Sequence, residues 1–315
     1  MPTVNTVLGP VDAFDLKFTL MHEHIMVSSA GIPHTFPELI DRDRFVSLSV
    51  QALKDAAADG VNSYVDVTTM DLGRDVEVLR RVAEQSETHI IPCTGIWLDI
   101  PRAISRITPE ELARVFIREI EVGIEGTGIK AGVIKVATSE EGVTPANDIV
   151  LRAAAMTCNE TGVPISTHTA ALAKVGNDQI AIFEEESVDM GRVYIGHSND
   201  TADLDYLSGI ARKGCLLGMD HYPGGRMGGL NWEERTQVVK QLVDMGLTDY
   251  VTMSHDFSLS YADSPEVEAD RNEYNPDGIC FIPRRVVPRL RELGVTQEQI
   301  DAMTIDAPRR YFGGD

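Results

Sequence analysis

The chain of 315 residues is 43% hydrophobic and 24% charged, which is enough apolar material for a large buried core in one domain. Its 28 Lys and Arg residues stand against 49 Asp and Glu residues, which gives a formal net charge of −21. This acidic balance argues against nucleic acid or an anionic membrane surface as a partner, because both require a basic footprint.

Cysteine spacing and hydropathy indicate the cellular compartment in which the protein works. The four cysteines are far apart and form no C-x-x-C pair, which predicts free thiols in a reducing compartment. The opening stretch MPTVNTVLGPVDAFDLKFTL lacks the basic start and apolar centre of a secretory signal, and no stretch approaches the ~20 apolar residues of a membrane span. We therefore expect a cytoplasmic protein.

Short apolar runs alternate with helix-like segments along the chain. The runs span 18–27, 63–69, 89–97, 131–137, 163–169, 192–198, 214–220 and 250–256. Their near-continuous apolar starts are typical of parallel strands that are covered on both faces. Helices are predicted at 41–60, 108–123, 147–162 and 231–246, and Thr108 and Glu111 form a capping box. Eight such alternations predict a single (β/α)8 TIM barrel over 1–315; an open doubly wound sheet is the alternative, although its G-x-G-x-x-G fingerprint is absent.

The first run carries two histidines, His22 and His24, on either side of Glu23. Residues i and i+2 of a strand point to the same face, so both imidazoles should project together. A single buried histidine is usually a hydrogen-bonded core residue, but a pair on one face indicates a shared ligand. Glu23 should point to the opposite face and be structural.

Other polar residues occupy the carboxyl-terminal halves of the runs, the end of a barrel that holds the active site. They are Lys135, His168, His197, Asp220, His221, His255 and Asp256. Neutral imidazoles and a carboxylate are ligands for a divalent metal, and four histidines with one aspartate exceed the needs of one catalytic zinc. Two metals would use them all.

Lys135 does not fit this set as an ammonium, because two nearby cations would repel it. A neutral amine can add CO₂ and become a carbamate, an anionic ligand able to bridge two metals. In the alternative interpretation, Lys135 points outward and pairs with a surface acid.

The segments TLMHEHI, GVIKVATS, ISTHT, YIGHSND and MSHD, in that order, resemble the phosphotriesterase family of the amidohydrolase superfamily. Segments at 4–11, 65–75, 94–101 and 275–295 also resemble family segments, so the similarity covers nearly the whole chain. The resemblance implies a binuclear metal centre in a (β/α)8 barrel. It places His22, His24 and Asp256 on the more buried metal, His168 and His197 on the more exposed metal, and carboxylated Lys135 between the two.

The resemblance also implies a mechanism. Hydroxide between the metals would attack the substrate, and Asp256 would take the proton. His221 and Asp200 resemble the relay that carries this proton to solvent, although Asp200 could instead cap the helix that follows. Asp220 is expected to orient its neighbour His221. Zinc is the first expectation for both metals, with cobalt, manganese or iron as alternatives.

The substrate pocket is expected to involve Trp97, whose ring could form a wall; the less favoured alternative is a core tryptophan at a strand end. Trp97 and His221 resemble the organophosphate-hydrolase branch, whereas lactonases more often carry Tyr and Arg there. The segments after the seventh and eighth runs depart from the best-known organophosphate hydrolases. The expected substrate contacts in these segments are His221, Tyr222 and Phe257, with Arg226 and Met227 as further candidates.

The first functional prediction is a phosphotriester hydrolase that acts on small molecules. The alternative is a lactonase, including one for N-acyl-homoserine lactones, with secondary phosphotriesterase activity. A single-metal deaminase is less favoured, since those enzymes lack the lysine at the position of Lys135. A barrel that only binds a ligand would not require the complete ligand set. We expect a homodimer with neither nucleic acid nor membrane as partner.

Overall fold

A ring of parallel strands organises the computed structural model, which describes residues 2–225, 229–261 and 265–314. The strands are β1 Thr3–Thr6, β2 Gly9–Asp12, β3 Thr19–Val27, β4 Ser63–Asp66, β5 His89–Ile96, β6 Val133–Ala137, β7 Ile165–His168, β8 Val193–Ile195, β9 Leu216–Met219, β10 Val251–Met253 and β11 Ser258–Tyr261. Strands β3 to β11 form one sheet in the order β10-β9-β8-β7-β6-β5-β4-β3-β11. The pairings in this sheet are all parallel.

The eighth position of the ring is shared by two short strands. β10 pairs with β9, and β11 pairs with β3, so the two edges of the sheet are joined by consecutive chain. Between them, the Asp256 N–H donates to His22 O at 3.0 Å and the His24 N–H donates to Phe257 O at 3.0 Å. The predicted (β/α)8 barrel is confirmed, but the predicted continuous strand over 250–256 is wrong. The chain bends at 254–257 before it resumes as β11.

Twelve α-helices lie among the described residues, besides shorter 3-10 and π-helical turns: α1 Ile32–Thr35, α2 Arg42–Ala58, α3 Val76–Ser86, α4 Pro109–Glu121, α5 Pro145–Thr161, α6 Gly176–Glu185, α7 Leu204–Arg212, α8 Trp232–Asp244, α9 Pro265–Tyr274, α10 Val287–Glu292, α11 Gln297–Asp301 and α12 Ala307–Gly313. The four predicted helices match α2, α4, α5 and α8, and the capping box of Thr108 and Glu111 is present. The helix-cap interpretation of Asp200 is wrong, because Asp203 accepts the N-cap hydrogen bond of α7.

Apolar side chains fill two regions on either side of the barrel wall. Ile134 and Val136 of β6 belong to the layer between strands and helices, whereas Val133 belongs to the cluster with Met21 and Tyr194. Since side chains alternate along a strand, Lys135 points to the same side as Val133, into the barrel. The N-terminal hairpin β1–β2, which the sequence patterns did not predict, and α12 also contribute to this second cluster.

The four cysteines are buried and free. Across the described ranges, no helix combines the length and apolar character needed to cross a membrane.

Candidate active site

Polar side chains from five segments of the barrel meet inside its carboxyl-terminal end. Parallel strands finish at the same rim, so residues far apart in sequence are brought together. The set comprises His22 and His24 on β3, Lys135 on β6, His168 at the end of β7, His197 after β8 and Asp256 after β10. These are the six residues that the sequence predicts to be metal ligands.

The two histidines of β3 face one carboxylate. Asp256 Oδ1 lies 3.0 Å from His24 Nε2 and 3.6 Å from His22 Nε2. On the other side of the His24 ring, Thr68 Oγ1 lies 2.8 Å from His24 Nδ1. Burial and the neighbouring Lys135 lower the pKa of His22 to about 3, so its imidazole is neutral and able to donate a lone pair.

Asp220 lies behind the cluster and contacts two of its histidines. Its Oδ1 accepts from the His197 N–H at 2.7 Å and lies 3.0 Å from His197 Nδ1. Its Oδ2 accepts from Tyr194 Oη at 2.7 Å and lies 2.9 Å from His22 Nδ1. Burial alone would raise the pKa of Asp220, but the two histidines hold it well below its usual range. The expectation that Asp220 orients His221 is therefore wrong, because the histidines it contacts are His22 and His197.

Glu23 fixes the bend that carries Asp256. The glutamate is fully buried, and its Oε1 accepts from Ser254 Oγ at 2.7 Å, the His255 N–H at 2.9 Å and His255 Nδ1 at 2.6 Å. Its Oε2 accepts from the Phe257 N–H at 3.0 Å. These bonds surround Asp256, which has a left-handed backbone with φ 50°. His255 thus lies behind the cluster and supports it through its bonds to Glu23.

Lys135 is enclosed with the histidines. It is 1% exposed, and its Nζ lies 2.8 Å from His22 Nε2. Burial lowers the pKa of Lys135 to about 8, although Asp256 and Asp220 act in the opposite direction. The alternative in which Lys135 pairs with a surface acid is wrong.

A chain of hydrogen-bonding groups leads from Asp256 away from the cluster. Asp256 Oδ2 lies 3.1 Å from His221 Nε2, and His221 Nδ1 lies 2.9 Å from Asp200 Oδ1. Burial opposes protonation of His221, but the two carboxylates raise its pKa to about 10. The His221 ring stacks on the His197 ring with centroids 3.9 Å apart. Asp200 in turn accepts from Arg235 Nη1 at 2.9 Å.

The donor set fits a metal centre. His168 Nδ1 and His197 Nε2 are only 2.6 Å apart, so two ring nitrogens are turned toward each other. Burial and His197 lower the pKa of His168, which favours its neutral, lone-pair form. Ligand atoms of His22, His197 and Asp256 all lie within 4.8 Å of one another. Zn²⁺ and similar divalent ions prefer such nitrogen and carboxylate donors.

Comparison with known proteins decides the family. The model of the phosphotriesterase family matches residues 2–312. The chain belongs to the phosphotriesterase family. An aryldialkylphosphatase of Saccharolobus solfataricus is 34% identical over 309 residues, which cover 96% of this chain and 96% of the relative. A solved structure of the phosphotriesterase from Mycobacterium tuberculosis matches with a TM-score of 0.92 at 38% identity and covers 99% of this chain and 98% of that one.

More distant relatives have another named activity. The N-acetyltaurine hydrolase of Homo sapiens is 26% identical over 347 residues, covering 98% of this chain and 97% of the relative. Membership places the chain in a hydrolytic, metal-dependent family, and the histidine and aspartate groups described above could bind metal.

Two cavities adjoin the cluster in this family member. A chamber of about 280 Å³ is lined by His22, His24, Lys135, His168, Asp256 and Trp97. Trp97 is partly buried, and its ring meets the His168 ring edge-on with centroids 5.7 Å apart. A larger cavity of about 750 Å³ also reaches Asp256 and is lined by Asp200, His221, Tyr222 and Phe257. Trp97 and the other three expected substrate contacts therefore line different cavities, which meet at Asp256.

Several lining residues were not predicted from the sequence. Ala170–Ala173 border the larger cavity, and Leu172 among them is 79% exposed. Arg235, on α8, donates to Asn199 O at 2.6 Å and to Leu230 O at 2.8 Å besides contacting Asp200. No local pattern singles out the contact of Arg235 with Asp200, because the two residues are 35 positions apart in the chain. Arg226 and Met227 lie outside the described residues.

Proposed function

We propose that this chain is a binuclear metal-dependent hydrolase that cleaves organophosphate triesters. The observation that carries the proposal is the convergence of three imidazoles, one carboxylate and one buried lysine on a single chamber beside a cavity of about 750 Å³. A fourth imidazole, that of His197, lies 2.6 Å from His168 Nδ1. The 34% identical relative named aryldialkylphosphatase supports the choice of phosphotriesters.

In this proposal the ligands divide between two cations. One cation would be held by the β3 histidines and Asp256, and the other by His168 and His197. Lys135 would bridge them after its neutral amine adds CO₂, with formation of an N–C bond and release of one proton. The burial of Lys135 and its lowered pKa support this modification. Zinc remains our first expectation, and cobalt, manganese and iron accept the same donors.

When bound, a pair of divalent cations supplies hydroxide near neutral pH and polarises the P=O or C=O oxygen of the substrate. The protein residues would then carry the released proton away from the nucleophile. Asp256 accepts the proton that the nucleophile loses, and His221 passes it from Nε2 to Asp200 through Nδ1. The side chain of Asp200 is 29% exposed, so the proton can leave to solvent there.

The lining of the larger cavity favours an uncharged substrate. Among its described residues, Arg235 is the one Arg or Lys side chain, and its guanidinium is engaged by Asp200, Asn199 O and Leu230 O. The protonated His221 ring in the same lining is engaged by Asp200 and Asp256. A sulfonate such as N-acetyltaurine would find no free cation there among these residues. Phosphotriesters and lactones carry no net charge and fit this lining better.

A lactonase is the second candidate, including one for N-acyl-homoserine lactones. The observation that favours it is the presence in the same family of relatives named N-acetyltaurine hydrolase, a name that implies hydrolysis at a carbonyl group. The oxygen of a lactone carbonyl can be polarised as that of a phosphoryl group can. The apolar residues that line the larger cavity would accommodate an acyl chain.

A substrate panel tests the proposal and separates the candidates. Metal-replete protein would be assayed with diethyl 4-nitrophenyl phosphate, a γ-lactone series and N-acetyltaurine. We expect turnover that is lost with a chelator and in Asp256→Asn, but is retained in Asp244→Asn, which changes an exposed carboxylate on α8. Absence of turnover on every substrate, with two metals bound per chain, would contradict the proposal. The expected homodimer stays a prediction, which light scattering after size exclusion would test.

A further inference from the structure

One aromatic residue borders both the larger cavity and a second, smaller one. Phe257 lines the cavity of about 750 Å³ and also a smaller cavity of about 220 Å³. The ring is 7% exposed, so it is enclosed by the two spaces and the protein around them. Among the residues that the structure describes, Asn275 is the other one that borders both.

The smaller cavity has a mixed lining that includes apolar side chains. Ala52 of α2, Leu259 of β11 and Ile279 line it, and Leu259 and Ile279 are buried. Its polar lining residues include Asp55, Asn272, Asp277 and Arg284. Hydrocarbon would therefore gain by contacting the apolar residues of this space, whereas a charged group would gain only near the polar residues.

The ring is held in place from both ends. The Phe257 N–H donates to Glu23 Oε2 at 3.0 Å, and Phe257 O accepts from the His24 N–H at 3.0 Å, so its backbone is part of the barrel wall. At the other end, a Cβ placed on Gly278 would lie 3.7 Å from Phe257 Cε1 and Cζ, which shows that the ring edge abuts this segment. The backbone that carries the ring therefore cannot shift far without breaking its bonds to Glu23 and His24.

We propose that Phe257 determines the length of the hydrocarbon chain that a substrate can carry, by separating the smaller cavity from the substrate pocket. This inference rests on the proposed function, because it assumes that the larger cavity receives the organic part of an ester. With the ring in place, a chain that reaches Phe257 must turn toward solvent. Without the ring, the same chain continues past Ala52 and Leu259.

The experiment compares γ-lactones that differ only in their alkyl substituent, from methyl to octyl, and dialkyl 4-nitrophenyl phosphates from ethyl to butyl. In Phe257→Ala, we expect the ratio of kcat/KM for octyl over methyl lactone to rise by at least ~10-fold, since each methylene buried among apolar groups strengthens binding roughly fourfold. Phe257→Leu should show a smaller change in the same direction, and it remains informative if the alanine variant fails to fold.

Two further variants test whether the smaller cavity itself receives the chain. Leu259→Ala enlarges that cavity while leaving the ring in place, so the chain-length preference should stay at the wild-type value. Ala52→Phe, added to Phe257→Ala, fills the same space from α2 and should return the preference toward wild type. An equal shift in Leu259→Ala, or no reversal by Ala52→Phe, would overturn the proposal, as would an unchanged octyl-to-methyl ratio in both folded Phe257 variants.

Binding of a non-hydrolysable probe keeps this inference distinct from the catalytic one. The dissociation constant of 2-octylcyclopentanone should fall by at least ~10-fold in Phe257→Ala relative to wild type, while that of 2-methylcyclopentanone should change by less than ~3-fold. If wild type hydrolyses no ester but the ketones follow this pattern, the proposed function fails and the role of Phe257 stands. If esters are cleaved but neither kinetics nor ketone binding shifts, the role of Phe257 is refuted.

Discussion

Replacing Glu23 with glutamine would test whether the bend at 254–257 is what places Asp256 in the cluster. Glutamine can keep a carbonyl oxygen at the position of Oε1, where three donors converge, but it places an amide N–H₂ opposite the Phe257 N–H. One buried donor then loses its acceptor, and the three remaining bonds lose the help of a negative charge. We expect unfolding to become easier by about 2–4 kcal/mol.

The functional consequence should exceed the loss of stability. Asp256 has a left-handed backbone, which is unfavourable for an aspartate unless its surroundings hold it, and the Glu23 bonds lie on both sides of it. Relaxing that bend should move Asp256 Oδ1 away from His22 and His24. Groups that orient metal ligands typically change metal affinity by roughly 10–100-fold, and we expect a weakening of that size.

The assay pairs urea denaturation of the metal-free protein with competition for metal against a chromophoric chelator. Glu119→Gln is the matched control, because Glu119 is also a buried carboxylate, bonded to Arg74 and Thr94 outside the cluster. It should lose comparable stability while keeping wild-type metal affinity. If Glu23→Gln keeps that affinity, or both variants lose it equally, the role assigned to Glu23 is refuted.

Three further predictions concern the relay, the histidines and the lysine. Asp200→Asn should lower kcat by roughly 10–100-fold with little change in KM, and a change confined to KM in steady-state kinetics would contradict the relay. The pKa of His22 is lowered to about 3, so the unfolded chain takes up its proton first as the pH falls below ~6.5, and the metal-free protein should lose about 2–3 kcal/mol from this residue by pH 4.5. That part of the pH dependence of urea unfolding should disappear in His22→Gln, and an identical pH dependence would refute the assignment. Lys135→Ala should lose metal and activity, and added acetate should restore part of both by supplying the missing anionic oxygens; metal content by emission spectroscopy checks this, and full activity without acetate would contradict the bridging role.

The placement of the cluster could be predicted because it depends on strand ends. His168 ends β7 and His197 follows β8, and parallel pairing gathers these strand ends at one rim. Lys135 lies in the middle of β6, and His22 lies in the longer strand β3, next to Glu23, which pairs with the last residue of β4. The period of two along a strand also predicted that Glu23 faces away from the histidines. Local patterns were therefore sufficient to indicate which side chains meet.

The supporting contacts could not be predicted, because they join distant segments. Glu23 reaches the 254–257 bend across more than 230 residues of sequence, and nothing in the apolar run 250–256 signals that bend. The sequence pairs Asp220 with its neighbour His221, but the structure pairs it with His22 and His197. The alternation of side chains along a strand favours such partners on other strands, because adjacent residues of a strand point to opposite faces. Arg235 belongs to an ordinary amphipathic helix, and its contact with Asp200 follows only from the packing of α8 on the rim.

Anomalous diffraction from crystals of metal-replete protein, recorded at the absorption edges of zinc, cobalt, manganese and iron, would test the central claim most directly. We predict two peaks, one among His22, His24 and Asp256 and one beside His168 and His197, with density for a carboxylated Lys135 between them. An unmodified ammonium at Lys135 with no anomalous peak among these side chains would contradict the account.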